Sequence, residues 1–367
     1  MSSEESEITL PPEKDWSAET VNASLIEMKP IRWLWRSWLP KGKLTILAGQ
    51  AGTGKTNLAL QIAATVSRGG QWPDGTKAPV GNILIWSGED DHADVIVPRL
   101  QAMGADLAAI YLVQASVNKK GKKRAFEPSA DMPLLAKTMA EARISLLIID
   151  PIISAVRGDM NQANSVRTGL QSVVELAAAH DAAVIGVSHF SKGSRGADPA
   201  DRVLGSQAFG ALARMVLVAA RDDEGRGVFA RAKTNIAVTD GGFEYRVEPV
   251  TIPGKIETTA IRWGDVIAGS AKNILAEVDG CPPAGEPSSL KEAKGFLREI
   301  LTKGLVPTTQ VETEAARVGH SSASLRRARV ALGVKSLKIG DAWCLKLPEP
   351  LKDEATMVQG SLVEEDI

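Results

Sequence analysis

The sequence predicts an α/β protein with a mostly parallel sheet covered by helices on both faces, followed by a small winged helix-turn-helix module. Three observations predict it. Between residues 21 and 255, short runs rich in Ile, Val and Leu alternate with helix-length segments, the pattern of parallel strands joined by crossover helices and buried on both faces. A Gly/Pro-rich break at Gly280-Cys281-Pro282-Pro283-Ala284-Gly285 then interrupts the chain. Beyond it, residues 288–348 compress three helical stretches and a hairpin into a short span, the order of elements in a winged helix.

Taken in order, residues 1–20 hold six acids, one Lys and two prolines and read as a disordered acidic lead-in. Strands are expected at 44–48, 82–86, 110–113, 146–149, 183–187, 215–219 and 228–231, and helices at 56–67, 93–103, 133–142 and 162–180. Residues 256–287 read as a connecting segment and linker. In the last module, Leu290, Ala293, Leu297, Ile300 and Leu301 recur at helical spacing. Thr308 or Thr309 is placed to cap a second helix, and Ser321 or Ser322 a third, with Leu325, Ala328 and Leu332 turned inward. Residues 334–339 and 342–347, joined at Gly340-Asp341, make the hairpin. Residues 349–367 form an acidic tail.

Composition excludes whole classes. Lys and Arg number 43 against 44 Asp and Glu, so no cationic coat covers the chain. The basic surplus is local: residues 285–348 carry 11 Lys and Arg against six acids, and the tail carries one Lys against six. No apolar stretch reaches the ~18 residues of a membrane span, because Arg214 interrupts the run from Ala208 to Ala220. No secretory signal is visible, and Cys281 and Cys344 make no zinc pattern. A reduced, cytoplasmic protein without membrane contact is expected.

Gly49-Gln50-Ala51-Gly52-Thr53-Gly54-Lys55-Thr56 matches G-x-x-x-x-G-K-[ST] directly after a strand and opening a helix. Backbone N–H groups of such a loop cradle phosphates at a helix N-terminus. These eight residues with Asn57 are the expected ATP site, Lys55 reaching the β- and γ-phosphates and Thr56 holding Mg²⁺. Asp150 ends a buried apolar strand and is the second magnesium ligand. Glu89, at the exit of the strand ending at Trp86, is the carboxylate for the attacking water, since Pro151 and Ile152 follow Asp150. His189 ends a further strand and sits where a γ-phosphate sensor belongs.

This ordered set resembles the RecA-like hexameric ATPases, most closely the plasmid replicative helicases of the RepA family. Further stretches carry the resemblance: Arg32-Trp33-Leu34-Trp35 with Leu39-Pro40-Lys41-Gly42-Lys43 before the loop, Arg99-Leu100 and Met103-Gly104 after Glu89, Gly205-Ser206-Gln207-Ala208 before Arg214, and Ala232-Lys233-Thr234-Asn235. It covers residues 28–248. By that resemblance Arg214 is an arginine finger that reaches a neighbour's ATP and Lys233 a second interface cation. An Arg inside a strongly apolar run is costly unless paired, which points the same way. Arg231, two residues before Lys233 and on the same side of an ideal strand, is a weaker candidate.

The resemblance implies a ring, of six in the family's manner, with single-stranded DNA in a central channel lined by the loops after the Asp150 and His189 strands. Arg157, Lys192, Arg195 and Arg202 are their cations. In the winged module Arg326 and Arg327 point away from Leu325, Ala328 and Leu332, on the helix that enters a major groove. The expected function is Mg²⁺-dependent ATP hydrolysis coupled to DNA translocation or unwinding in plasmid, phage or mobile-element replication. The alternative is a DNA-binding regulator or initiation factor in which ATP only switches assembly.

Overall fold

The computed structural model describes residues 19–348 apart from 159–162, 192–193, 195–196, 204–208, 210–211, 223, 280–287, 303, 321–324, 326–327, 330–331 and 340–341. The acidic tail and nearly all of the expected lead-in therefore lie outside the described residues.

A nine-stranded sheet organises the core. Its strands are β1 (Leu44–Gly49), β2 (Asn82–Ser87), β3 (Ile110–Leu112), β4 (Ile144–Asp150), β5 (Ala183–His189), β6 (Met215–Arg221), β7 (Gly227–Thr234), β8 (Gly242–Ile252) and β9 (Ile256–Ile267). Across the sheet they run β9-β8-β7-β6-β1-β5-β4-β2-β3. The six from β6 to β3 are parallel, and β7, β8 and β9 extend the sheet antiparallel. Central β1 is buried at every position, because helices cover both faces. Its alternate residues Leu44, Ile46 and Ala48 meet α3 (Pro128–Glu141), α4 (Ala163–His180) and α5 (Ala271–Val278). Leu47 faces the opposite layer, built on α1 (Lys55–Ser67) and α2 (Val97–Ala102).

Every strand expected from sequence is present, and the sheet is larger than expected. Residues 256–267, read as a connecting segment, form the edge strand β9, and α5 buries Ala271, Ile274 and Leu275 in the core. The core thus runs to residue 278, not 255. An edge strand is more open to solvent than a central one, so β9 lacks a continuous apolar run: Glu257, Arg262 and Asp265 are exposed. Two helices also start earlier than expected. Residues 92–96 form a π-helical turn leading into α2, and α3 begins at Pro128, with Pro133 inside it.

Beyond the core lie α6 (Ser288–Leu301), β10 (Val306–Pro307), α7 (Thr308–Arg317), β11 (Lys335–Ile339) and β12 (Ala342–Lys346). The strands pair in the order β10-β12-β11, around a core that includes Ala293, Leu297, Leu301, Val311, Ala315 and Leu345. Thr308 is the first residue of α7 rather than its cap, since pairing in β10 keeps the chain extended to Pro307. The third-helix caps Ser321 and Ser322 lie outside the described residues. No described helix is long and apolar enough to cross a membrane.

Candidate functional site

Strand register brings the chemistry to one edge. Gly49 pairs with His189, Ala219 with Gly49, and Ser87 with Asp150, so residues distant in sequence end level at the carboxyl side of the parallel strands. Between them opens a cleft of about 350 Å³ lined by Gly52, Gly54, Lys55, Thr56, Glu89, Asp150, His189 and Arg221.

The phosphate loop is shaped by glycine at two points. A Cβ on Gly49 would lie 2.2 Å from the Ala219 carbonyl oxygen, so only glycine lets β6 pass this close to the turn. Gly54 has φ 85° and caps α1 without a side chain, which leaves the first N–H groups of the helix free to bind an anion. The Thr53 hydroxyl and Lys55 Nζ both donate to the Gln50 carbonyl, at 2.9 and 2.8 Å. Burial lowers the Lys55 pKa, partly opposed by Asp150 and Glu89. A phosphate would replace the Gln50 carbonyl as the partner of a cation already desolvated and aimed.

Asp150 is only 6% exposed and accepts a 2.6 Å hydrogen bond from the Thr56 hydroxyl. Burial pushes its carboxyl up to about 6, with Glu89 and Asp90 adding to the rise and Thr56 and Lys55 opposing it. Two neighbouring oxygen donors, one a buried carboxylate short of positive charge, suit a hard divalent cation such as Mg²⁺. No group of three or more His, Cys, Asp or Glu able to hold a metal ion by itself exists among the described residues, so such an ion would complete its shell with phosphate and water, as Mg²⁺ does.

His189 Nδ1 lies 3.4 Å from Lys55 Nζ. Burial and the Lys55 charge lower its pKa, so the ring is neutral at pH 7. Glu89 is exposed at the exit of β2 and close enough to act electrostatically on Lys55, Asp150 and His189. Its acidic neighbours are occupied. Asp90 is paired with Arg99 at 2.9 Å, and Asp91 accepts the Ala93 and Asp94 N–H groups at the head of the π-helical turn.

Other expected site residues stand elsewhere. Asn57 lines the cleft but donates to the Thr259 hydroxyl at 3.0 Å, tying α1 to β9. Arg214 precedes β6, donates its N–H to the Leu44 carbonyl at the start of β1 and is exposed. The argument from burial in an apolar run therefore fails: Arg214 is exposed and stands just before β6 begins at Met215. Lys233 is exposed and pairs with Val216, also at the amino end of β6. Arg231 is corrected outright. The register shift places it opposite Leu217 and Lys233 opposite Val216, so Ala232 is bulged and the two cations face opposite sides. Arg231 lies 4.5 Å over the Trp38 ring and donates to the Asp240 carbonyl, within an aromatic stack of Trp35, Trp38, Trp72, Phe229 and Phe243.

Of the expected DNA contacts, Arg157 is exposed after β4, and Lys192, Arg195, Arg326 and Arg327 lie outside the described residues. Arg202 is corrected: it is 2% exposed, bonded to Asp279 at 2.7 Å and stacked 4.4 Å from the Phe190 ring. It fastens the segment after His189 to the end of α5 and is closed to DNA.

Sequence reasoning missed three residues. Tyr245, on β8, donates to the Thr53 carbonyl from below the loop, and burial raises its pKa. Val247 packs where a side chain on Gly54 would sit. Arg221 ends β6 beside Gly52. Only Arg221 left a signal, a polar residue closing an apolar strand as Asp150 and His189 do.

A family model described as an AAA domain matches residues 10–195, just over half of the chain. The chain belongs to this family. Its AAA domain is a P-loop nucleoside-triphosphatase of the RecA-like kind, and the matched span contains Lys55, Thr56, Glu89, Asp150 and His189 but ends before β6. No curated protein matches the chain.

Proposed function

We propose that the protein is a Mg²⁺-dependent ATPase that assembles as a RecA-like ring, hexameric in the manner of the RepA helicases it resembles, and uses hydrolysis to move along or unwind DNA in plasmid, phage or mobile-element replication. The convergence of Lys55, the Thr56–Asp150 pair, Glu89 and His189 on one cleft carries this reading. Lys55 and the loop N–H groups bind the β- and γ-phosphates. Thr56 and Asp150 hold the metal, which supplies charge neutralisation at the transferring phosphoryl group. Glu89, which unlike Asp90 and Asp91 has no hydrogen bond or ion pair among the described residues, orients the attacking water and accepts its proton. Neutral His189 donates to the γ-phosphate, and its loss is passed to the following segment, which Arg202 fastens to α5.

Arg214 and Lys233 are exposed at the amino end of the strands, where they are available to a neighbour's cleft rather than their own. Arg157, with Lys192 and Arg195, is proposed to track a single strand in the channel. Residues 288–348, with Arg326 and Arg327, are proposed as a winged module for duplex DNA. The testing experiment is ATP turnover with and without single-stranded DNA, in wild type and Lys55→Ala, with the oligomer mass measured plus and minus nucleotide. Loss of turnover in Lys55→Ala and stimulation by DNA support the reading. Slow, unstimulated turnover with tight, sequence-selective duplex binding overturns the translocase in favour of an ATP-switched regulator. Arg214→Ala and Lys55→Ala subunits, each inactive alone, should regain hydrolysis on mixing if Arg214 acts across the interface.

A further inference from the structure

Arg221 stands two residues beyond the Ala219–Gly49 pair, at the carboxyl end of β6. The strand order β6-β1-β5-β4-β2 gives it a distinctive position. Asp150, His189 and Glu89 belong to the strands on one flank of β1, whereas Arg221 belongs to the strand on the other. It is the cation of the cleft on that second flank.

Its hydrogen bonding is incomplete. The described contact is a 3.4 Å approach of one guanidinium N–H to the Gly52 carbonyl, long for a good bond. Nε is buried with no partner among the described residues. Among the described residues no carboxylate pairs with it, unlike Arg99 with Asp90 or Arg226 with Glu244. A guanidinium offers five N–H donors in a planar fork that fits phosphate oxygens. A half-buried cation short of partners, at the rim of an anion-binding loop, is missing an anion.

We propose that Arg221 holds the non-transferred phosphates of the nucleotide, the α and β groups, from the β6 side of the loop within its own chain. This rests on the nucleotide-site reading above. The argument is one of direction. Hydrolysis needs the γ-phosphate beside the metal ligands, Glu89 and His189, on the β5-β4-β2 flank. The phosphate chain crosses the loop and leaves on the opposite flank, where Arg221 waits. The β8 strand fixes that flank, Tyr245 from the Thr53 carbonyl and Val247 against Gly54. ATP and ADP share both phosphates, so contacts to them act on the affinity for both nucleotides; a contact to the α-phosphate leaves the chemical step alone, and the part that reaches the β-phosphate also meets charge that develops on the leaving group.

The test uses the full chain with Arg221→Ala and Arg221→Lys. Calorimetric titration gives the affinities for ATP and ADP with Mg²⁺, and steady-state turnover separates KM from kcat. Arg221→Ala should weaken ATP and ADP together by about 10–100-fold, the range for a charge-assisted contact. The loss in kcat/KM should lie mainly in KM, with at most a small fall in kcat from the β-phosphate contact. Arg221→Lys, with charge but no fork, should recover part of both affinities. ADP affinity unchanged from wild type overturns the proposal, and a fall in kcat with ADP binding intact moves Arg221 to the γ-phosphate instead. A thermal melt of each variant identifies a purely structural role: a large loss of stability in both variants with equal loss of affinity, unrescued by Lys, also overturns it. Failure of the nucleotide site itself reads differently, as wild type that binds neither nucleotide or Lys55→Ala that hydrolyses normally.

Discussion

Asp150→Asn should make the nucleotide-free protein more stable while destroying its activity. The carboxyl is 6% exposed, and burial raises its pKa from 3.8 to about 6. A raised carboxyl pKa means that the folded chain holds this proton more tightly than the unfolded chain. Its stabilising contribution is therefore complete below about pH 4 and is lost as pH rises through about 6. A shift of roughly two units corresponds to about 3 kcal/mol. Asparagine keeps the shape and can still accept the Thr56 hydroxyl hydrogen bond, but carries no charge to bury. Chemical denaturation without nucleotide or Mg²⁺ should find the Asn variant more stable by about 3 kcal/mol at pH 8 and equal to wild type near pH 4. ATP turnover should fall at least 10²-fold, because the metal loses its buried anionic ligand. For wild type, the cation competes with the proton, so Mg²⁺-dependent nucleotide binding should weaken as pH drops below about 6. A stability difference that does not change between pH 4 and pH 8 would refute the reasoning, as would an Asn variant that still hydrolyses ATP well.

Other outcomes follow from the same geometry. Glu89→Gln should bind ATP normally and leave it unhydrolysed; wild-type turnover would pass the base to another group, although Asp90 and Asp91 are already engaged by Arg99 and by backbone N–H groups. Arg202→Ala strands Asp279 in a site where its side chain is 9% exposed and should cost about 3–5 kcal/mol by urea denaturation, and a change within 1 kcal/mol would contradict the buried pair. Tyr245→Phe removes the hydroxyl that holds the Thr53 carbonyl and should lower stability by about 1 kcal/mol, with a higher KM for ATP as the loop loosens. Arg231→Gln should leave kcat near wild type and lower the melting temperature, because this guanidinium stacks on Trp38; a collapse of turnover in a well-folded variant would return it to the site.

The readable part of this chain is the part where burial is two-sided. Strands β1, β2, β4, β5 and β6 are apolar because helices cover both faces, and all but β1, which ends in Gly49, end in a polar residue where the sheet meets solvent. That rule finds Asp150 and His189 without coordinates, and with the phosphate-loop motif after β1 and Glu89 just past β2 it assembles the cleft. It fails where the premise fails. β8 and β9 lie at the sheet's edge and carry many solvent-exposed positions, so residues 256–267 look like a connection although they complete the sheet and pack over α1 and α2. A single bulged residue, Ala232, reverses the face of Arg231, and period-two reasoning has no means to register it. Arg202 looks like a loop cation because its partner, Asp279, is 77 residues away. Arg214 looks buried because the apolar run around it gives no sign that β6 starts only after it, at Met215. The case of Arg221 is different: the rule that finds Asp150 and His189 also finds Arg221 once β6 is carried two residues past Ala219 to its true end. What was misjudged there was a boundary, and in a parallel sheet the carboxyl boundary of a strand is where the chemistry stands.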